Sequence, residues 1–143
     1  MSVQLQVSQV IDRSLNKVFR FYALEHVQNH TRWDPDIKLE QVSEGPLGVG
    51  TMIRRQNTRS GSLVEGSMEV VEFELNRVFG LIIRDGPVEM RGWATFEPVN
   101  AHQTKLTTFV EIPGMDESMD KSFLQGRLER SDQNIKSLIE SET

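Results

Sequence analysis

The stretch that decides the fold is residues 116–143, DESMDKSFLQGRLERSDQNIKSLIESET. Its apolar residues recur at spacings of three, four and seven, which is the repeat of an amphipathic α-helix. They are Met119, Phe123, Leu124, Leu128, Ile135, Leu138 and Ile139. Pro113 and Gly114 end the preceding segment, and Asp116 or Ser118 is suited to cap the helix. A helix of about 25 residues is about 37 Å long, so it needs an apolar partner, and the strand-like chain before it indicates a sheet.

Composition limits the classes of protein that the chain can represent. It has 143 residues, a formal net charge of -5 and no cysteine. The length predicts one domain over residues 1–143. The negative charge argues against a nucleic-acid partner, and without cysteine there is no disulfide framework or thiolate chemistry. No apolar run approaches the ~20 residues of a membrane span, and the N-terminus lacks a signal-peptide pattern, so we expect a cytoplasmic protein.

The first third of the chain predicts one strand and two short helices. Apolar and polar residues alternate over 3–11, as in a strand with one buried face. Helical spacing over 14–25 predicts a short helix with Ser14 as its cap. A second short helix is expected over 26–32. It ends by Asp34, because a residue before proline is disfavoured in helical geometry.

The middle of the chain predicts six more strands separated by turns. Their close spacing favours antiparallel pairing. We place them near 37–44, 50–57, 63–73, 78–85, 88–97 and 103–112. The predicted fold is therefore α+β: a seven-stranded antiparallel sheet wrapped around the long C-terminal helix, with two short helices after strand 1. A twisted sheet and a straight helix do not fit flush, so a gap between them is expected.

This order resembles the helix-grip superfamily (SRPBCC), which contains START-related lipid-transfer domains, birch-pollen-allergen-like proteins and the polyketide cyclase/dehydrase family. The local patterns that match are Val18-Phe19-Arg20-Phe21, Trp33-Asp34-Pro35, Gly48-Val49-Gly50-Thr51, Phe96-Glu97-Pro98 and Thr104-Lys105-Leu106-Thr107. The resemblance spans nearly the whole chain. It implies a START-like domain with a hydrophobic cavity between sheet and helix. It carries over no catalytic residue, because fold does not give chemistry.

Two histidines could hold a metal. His26 and His30 are spaced i, i+4 on one helix face, with Asp34 or Asp36 nearby. The glutamate of a zinc-protease helix is missing between them. We therefore expect exposed polar histidines on a surface helix, and no metal or other cofactor.

Arg54 and Arg55 are adjacent, so they must point to opposite faces of the strand predicted near 50–57. If Ile53 faces the core, then Arg55 does too. A buried guanidinium needs a carboxylate partner or an anionic ligand group, and the candidate partners are Glu69, Glu72 and Asp85. Alternatively, Arg55 lies near an open strand end and extends to water. The sequence leaves both interpretations open.

The strand over 88–97 offers one face to a cavity. Gly92 and Ala94 are small and leave room for a ligand, unless Gly92 serves only sheet curvature. Trp93 then lies on the outer face, as a homodimer contact or packed on a neighbouring side chain. We expect Trp33 to fill the core beneath the short helices.

These observations predict a protein that binds a small hydrophobic or amphipathic molecule, without a membrane span and without demonstrable catalysis. The predicted ligand-binding residues are Arg55, Met68, Val70, Phe79, Leu81, Asp85, Met90, Ala94, Phe123 and Arg127. One alternative is a cyclase or dehydratase acting on a polyketide-like substrate, which requires an ionisable residue deep in the cavity with an altered pKa. Another is a protein-interaction module with a vestigial cavity and an exposed apolar patch.

Overall fold

A computed structural model describes residues 2–114 and 121–142. The helical elements are α1 (Leu15–Phe19), a π-helix (Arg20–Leu24), α2 (His26–Trp33) and α3 (Lys121–Ser141). The strands are β1 (Ser2–Ile11), β2 (Ile37–Gln41), β3 (Met52–Asn57), β4 (Val64–Glu74), β5 (Val78–Asp85), β6 (Val88–Asn100) and β7 (Gln103–Pro113). Each predicted strand is present, with ends that differ by a few residues.

The seven strands form one antiparallel sheet in the order β1-β7-β6-β5-β4-β3-β2. Sequential strands β2 to β7 are hairpin neighbours, and β1 closes the far edge by pairing with β7. The register shifts between Val70 and Glu72 in β4 and between Pro98 and Asn100 in β6. Such bulges increase local twist and bend a strand, which helps the sheet to curve around a helix. The predicted fold class is confirmed.

The first helical segment differs from its prediction. A single helix was expected over 14–25, but α1 gives way to the π-helix after Phe19. Ser14 occupies the predicted N-cap position, but its hydroxyl donates to the side chain of Asn16 (2.7 Å) and makes no cap bond to the backbone. The wider π-turn changes which carbonyls are paired within the helix. Side chains of α2 bond two of them: His26 Nδ1 lies 2.8 Å from the Tyr22 carbonyl oxygen, and Asn29 donates to that of Phe21.

Helix α3 lies across β1 and against α2. Several polar side chains connect it to the rest of the chain, three of them along its C-terminal half. Gln9 Nε2 donates to the Asp132 carbonyl oxygen (2.7 Å), Lys136 Nζ donates to that of Val10 (2.7 Å), and Asn134 Nδ2 donates to that of Trp33 (3.2 Å). The helix is described from Lys121. The predicted caps Asp116 and Ser118, together with Met119, lie outside the described residues.

The core lies between the concave face of the sheet, the short helices and the C-terminal half of α3. Its largest fully buried side chains come from every layer: Phe19, Phe79, Ile11, Ile37, Ile53, Met68, Leu106 and Ile135. Phe19 makes edge-to-face contacts with Phe73 and Phe96, at centroid distances of 5.6 and 4.9 Å. The short helices are thereby packed on the sheet at one end. At the other end, the N-terminal half of α3 leaves space between itself and the sheet.

Candidate functional site

A cavity of about 410 Å³ separates α3 from the concave face of the sheet. Its apolar wall comes from the central and edge strands and from α3, and includes Leu5, Leu81, Ile83, Met90, Val110 and Leu128. Two small residues of β6, Gly92 and Ala94, also line it. A Cβ at position 92 would lie 3.7 Å from Ile83 Cδ1, an ordinary contact distance, so the glycine adds room on the cavity side.

Aromatic rings from the π-helix and α2 form a second wall. Tyr22 stacks on Trp33 at a centroid distance of 5.5 Å, and His30 stacks on the same indole at 5.0 Å. His26 lies 5.1 Å from the Phe79 ring of β5. Trp33 is buried, as predicted, and also lines the cavity. The short helices therefore contribute a flat, partly polar surface opposite the aliphatic one.

The expectation of exposed histidines on α2 is wrong for His26, which is 2% exposed. Its Nδ1 lies against the Tyr22 carbonyl, and its Nε2 lies 2.9 Å from His30 Nδ1. Burial lowers the pKa of His26 to about 4, against a smaller opposing effect of the Tyr22 carbonyl. Burial and the neighbouring charges of His26, Arg55 and Arg59 hold the pKa of His30 well below its usual value. Both imidazoles are therefore neutral near pH 7.

Metal binding at this pair finds no support in the geometry. Across the described residues, no three His, Asp or Glu side chains come together as a metal site would require. His26 uses both ring nitrogens on protein partners. A single imidazole nitrogen is then left for any ligand.

Arg55 points inward and is 4% exposed. Of its three candidate partners, Asp85 is the one it meets, through an Arg55 Nε to Asp85 Oδ1 hydrogen bond of 2.8 Å. Asn57 Nδ2 donates to the other carboxylate oxygen at 3.0 Å. Arg54 points outward, to Glu65. The alternative in which Arg55 extends to water is therefore wrong.

A glycine on the strand between them permits this ion pair. Arg55 pairs across the sheet with Gly66, and Gly66 pairs with Asp85, so the three residues lie in a row. A Cβ at position 66 would lie 1.8 Å from the Arg84 carbonyl oxygen and 3.0 Å from Asp85 Oδ1. Without a side chain at the middle position, the guanidinium and the carboxylate meet above the strand. Predicting this ion pair requires the register of the three strands, which cannot be read from the sequence alone.

Asp132 is one of the site residues that sequence reasoning missed, and Tyr22 and His30 are others. Asp132 lies on the cavity side of α3 and is 1% exposed. Thr108 Oγ1 on β7 lies 3.2 and 3.1 Å from its two carboxylate oxygens. Burial raises the pKa of Asp132 to about 7, although the Thr108 hydroxyl opposes the rise. Its spacing from Leu128, Ile135 and Ile139 places it within the apolar stripe, and that signal could have identified it.

The predicted ligand-binding residues fall into two groups. Arg55, Phe79, Leu81, Met90, Ala94 and Arg127 line the cavity. Met68 and Val70 are fully buried in the hydrophobic core, Asp85 lies behind Arg55, and Phe123 is 57% exposed. The Arg127 guanidinium lies 5.7 Å from the centre of the Phe123 ring. A ligand contact for any of these ten residues stays a prediction.

Trp93 packs on the outer face of the sheet against its neighbours. Its Nε1 donates to Glu72 Oε1 at 2.6 Å, and a Cβ at position 80 would come within 2.6 Å of the same nitrogen. The indole therefore covers Gly80, and the packed option of the two predicted for Trp93 is the one adopted. A homodimer stays a prediction. Of the helices in the described part of the chain, none combines the length and the hydropathy that crossing a membrane requires.

An antiparallel sheet gripping a long C-terminal helix, with a cavity between them, defines the helix-grip class. Three of the solved structures that resemble this chain match it over nearly its whole length. A START superfamily protein from Mycobacterium smegmatis is 13% identical with a TM-score of 0.79, and the match covers 98% of this chain and 99% of that one. Norcoclaurine synthase from Thalictrum flavum, solved with dopamine and hydroxybenzaldehyde, is 13% identical with a TM-score of 0.75, at 100% and 89% coverage.

The third is the Zhui aromatase/cyclase from Streptomyces sp. R1128, which is 14% identical with a TM-score of 0.73, at 99% and 93% coverage. The sequence itself matches no family model and no curated protein. The predicted START-like, polyketide-cyclase-like resemblance is thus confirmed at the level of the fold. At such low identity, the similarity does not transfer a ligand or a reaction.

Proposed function

We propose that the protein binds a small, largely apolar molecule in the cavity between α3 and the sheet. The observation that carries this proposal is the cavity of about 410 Å³ in a chain of only 143 residues. Protein interiors are otherwise close-packed, and ligand pockets typically occupy about 300–1,000 Å³ with mainly apolar walls and a few polar groups. The aliphatic wall would hold the body of the ligand.

The structural comparisons support a ligand of this kind. Norcoclaurine synthase, which shares the fold, was solved with two small aromatic molecules, dopamine and hydroxybenzaldehyde. In the present chain the stacked rings of Tyr22, Trp33 and His30 offer a flat surface beside the aliphatic wall. A flat ring fits between two such walls better than a branched aliphatic group, so we infer an amphipathic ligand with an aromatic or planar body.

Filling the cavity tests the proposal. Ala94 is buried on β6 and lines the cavity, so Ala94→Leu adds a branched side chain where the ligand would lie. We expect binding of an uncharged fluorescent probe, N-phenyl-1-naphthylamine, to fall by about tenfold or more. Ala101→Leu makes the same change in an exposed turn and should leave probe binding unchanged. Equal binding by all three proteins would refute cavity binding.

A second candidate function is a cyclase or dehydratase acting on a polyketide-like substrate. It is favoured by the ionisable groups on the cavity wall, Tyr22, His30 and Asp132, and by the altered pKa values of His30 and Asp132. Such values are frequent at catalytic sites. Incubation with a β-hydroxyketone, followed by mass spectrometry, tests for loss of water. A rate equal to that of the buffer alone would exclude dehydration of that substrate class.

A further inference from the structure

Building on the proposed ligand-binding function, we propose that the cavity selects a molecule that presents hydrogen-bond donors and carries no negative charge. Its polar end is an alcohol, a phenol or an amine, and His30 Nε2 and Asp132 are the groups that accept its hydrogen bonds. Carboxylic acids, including fatty acids, are disfavoured inside the cavity.

The first acceptor follows from the hydrogen bonds of the two histidines. The Tyr22 carbonyl can only accept, so His26 Nδ1, 2.8 Å away, carries a proton and donates it. A neutral imidazole has one N–H, so His26 Nε2 is an acceptor. His30 Nδ1, 2.9 Å from that nitrogen, must then be the donor. His30 is also neutral, which leaves His30 Nε2 without a proton and able only to accept.

That nitrogen faces the cavity. No hydrogen bond to His30 Nε2 is found within residues 2–114 and 121–142. In the same residues no side-chain nitrogen or oxygen is both fully buried and without a partner. His30 Nε2 therefore reaches open space, and the open space beside His30 is the cavity. The relay from Tyr22 through His26 thus fixes one tautomer and presents one lone pair to a ligand.

The second acceptor is the carboxyl group of Asp132. It receives the Thr108 hydroxyl, and among the described residues it takes part in no ion pair. A buried carboxylate without a cation is costly. A ligand that brings an O–H or N–H group to it relieves that cost, and an ammonium group relieves most of it. A second carboxylate beside it would be repelled.

The cations at the α2 end of the cavity already have partners. Arg55 is held by Asp85, and Arg59 pairs with Asp34. Arg127 and the exposed Arg130 lie on the N-terminal half of α3 and also line the cavity. They could hold an anion at the rim, with its apolar body inside. This is the competing orientation that an experiment must distinguish.

Four naphthalene probes of similar shape make the distinction by calorimetry at about pH 8, where Asp132 is mostly ionised. These are 2-methylnaphthalene, 2-naphthol, 2-naphthylmethylamine and 2-naphthoate. We expect naphthol and the amine to bind about tenfold or more tightly than methylnaphthalene, and naphthoate to bind most weakly. Naphthoate binding as tightly as naphthol would overturn this inference and leave the proposed function standing. Failure of all four to bind would refute both.

Substitution of Asp132 then locates the effect. Asp132→Asn removes the charge at constant shape. It should weaken the amine by about tenfold or more, strengthen naphthoate and leave methylnaphthalene unchanged. Glu129→Gln changes an exposed carboxylate one turn earlier on the same helix and should leave all four affinities unchanged. An amine affinity that is the same in the wild type and in Asp132→Asn would contradict the assignment of Asp132, and the wild-type series tests the ligand class without any variant.

Discussion

Burial has opposite effects on the free energy of the two walls of the cavity. The sheet wall is aliphatic, and residues such as Leu81 and Ala94 continue directly into the hydrophobic core. The wall formed by α2, the π-helix and the middle of α3 carries Tyr22, His26 and Asp132, whose surroundings disfavour their charged forms. Burial lowers free energy on the first wall and raises it for the charged forms on the second. The first wall therefore stabilises the fold, and the second places polar groups where they can bind a ligand.

Truncation of a large buried side chain on the sheet wall should have the largest effect on stability. Phe79 is almost fully buried and contacts the rings of Phe73 and Tyr22. We expect Phe79→Ala to lower the free energy of unfolding by about 3–5 kcal/mol, measured by urea denaturation. Phe123→Ala removes the same ring from an exposed site and should cost less than about 1 kcal/mol. Equal losses would show that the burial of Phe79 does not set its contribution to stability.

Asp132 lies on the polar wall, which is the wall formed by α2, the π-helix and the middle of α3. Its ionisation should lower the free energy of unfolding, whereas the buried ring of Phe79 raises it. The folded pKa of Asp132, about 7, lies above the ordinary value of 3.8, so the folded protein holds this proton more tightly than the unfolded chain. Stability is therefore lost as pH rises from about 4 to about 7, by up to about 4 kcal/mol in total. Asp132→Asn lacks this loss and should be more stable than the wild type at about pH 8.

The difference in unfolding free energy between Asp132→Asn and the wild type should grow across that pH range and stay constant above it. Denaturation series at several pH values measure it, with Glu129→Gln, an exposed site on the same helix, measured in parallel as the control. If the difference for Asp132→Asn does not change with pH, then Asp132 has the same pKa in the folded protein as in the unfolded chain.

A smaller effect is expected at His26, with the opposite dependence on pH. Its folded pKa of about 4 lies below the ordinary 6.5, so the unfolded chain takes up the proton first. Stability is present above about pH 6.5 and is lost as pH falls towards 4, by about 3 kcal/mol from this residue. His26→Gln retains a donor for the Tyr22 carbonyl and an acceptor for His30 Nδ1, but cannot be protonated. Its acid loss of stability should be shallower than that of the wild type.

The exposed His102 provides the control. His102→Gln makes the same substitution at an exposed turn and is measured in parallel. If His26→Gln loses stability in acid as steeply as the wild type, the burial of His26 does not set the acid limit of stability.

Local patterns predicted most of the architecture because periodicity reports burial directly. Alternation over β1 and the three-and-four spacing of α3 each specify one apolar face, and only a sheet packed on that helix buries both. The same logic predicted that Arg54 and Arg55 diverge. It did not choose between the two environments open to Arg55, since the partner comes from β5 and the space above Gly66 depends on register.

The polar wall was predicted least well. His26 and His30 were interpreted as surface residues because a short helix of polar composition usually faces water. The π-turn and the stacking on Trp33 place them inside. Asp132 was overlooked because an acidic residue within an apolar stripe is normally exposed, although its spacing was correct.

By itself, the sequence determined the order of the elements, the antiparallel sheet, the long helix and the gap expected between a curved and a straight surface. These follow from side-chain periodicity and turn chemistry, which act over a few residues. Only the tertiary structure decided which polar groups face that gap. Their burial, tautomers and ionisation depend on neighbours distant in sequence, such as Thr108 against Asp132 and Tyr22 against His26 through a π-turn, and electrostatic energies depend on such distances and not on local pattern.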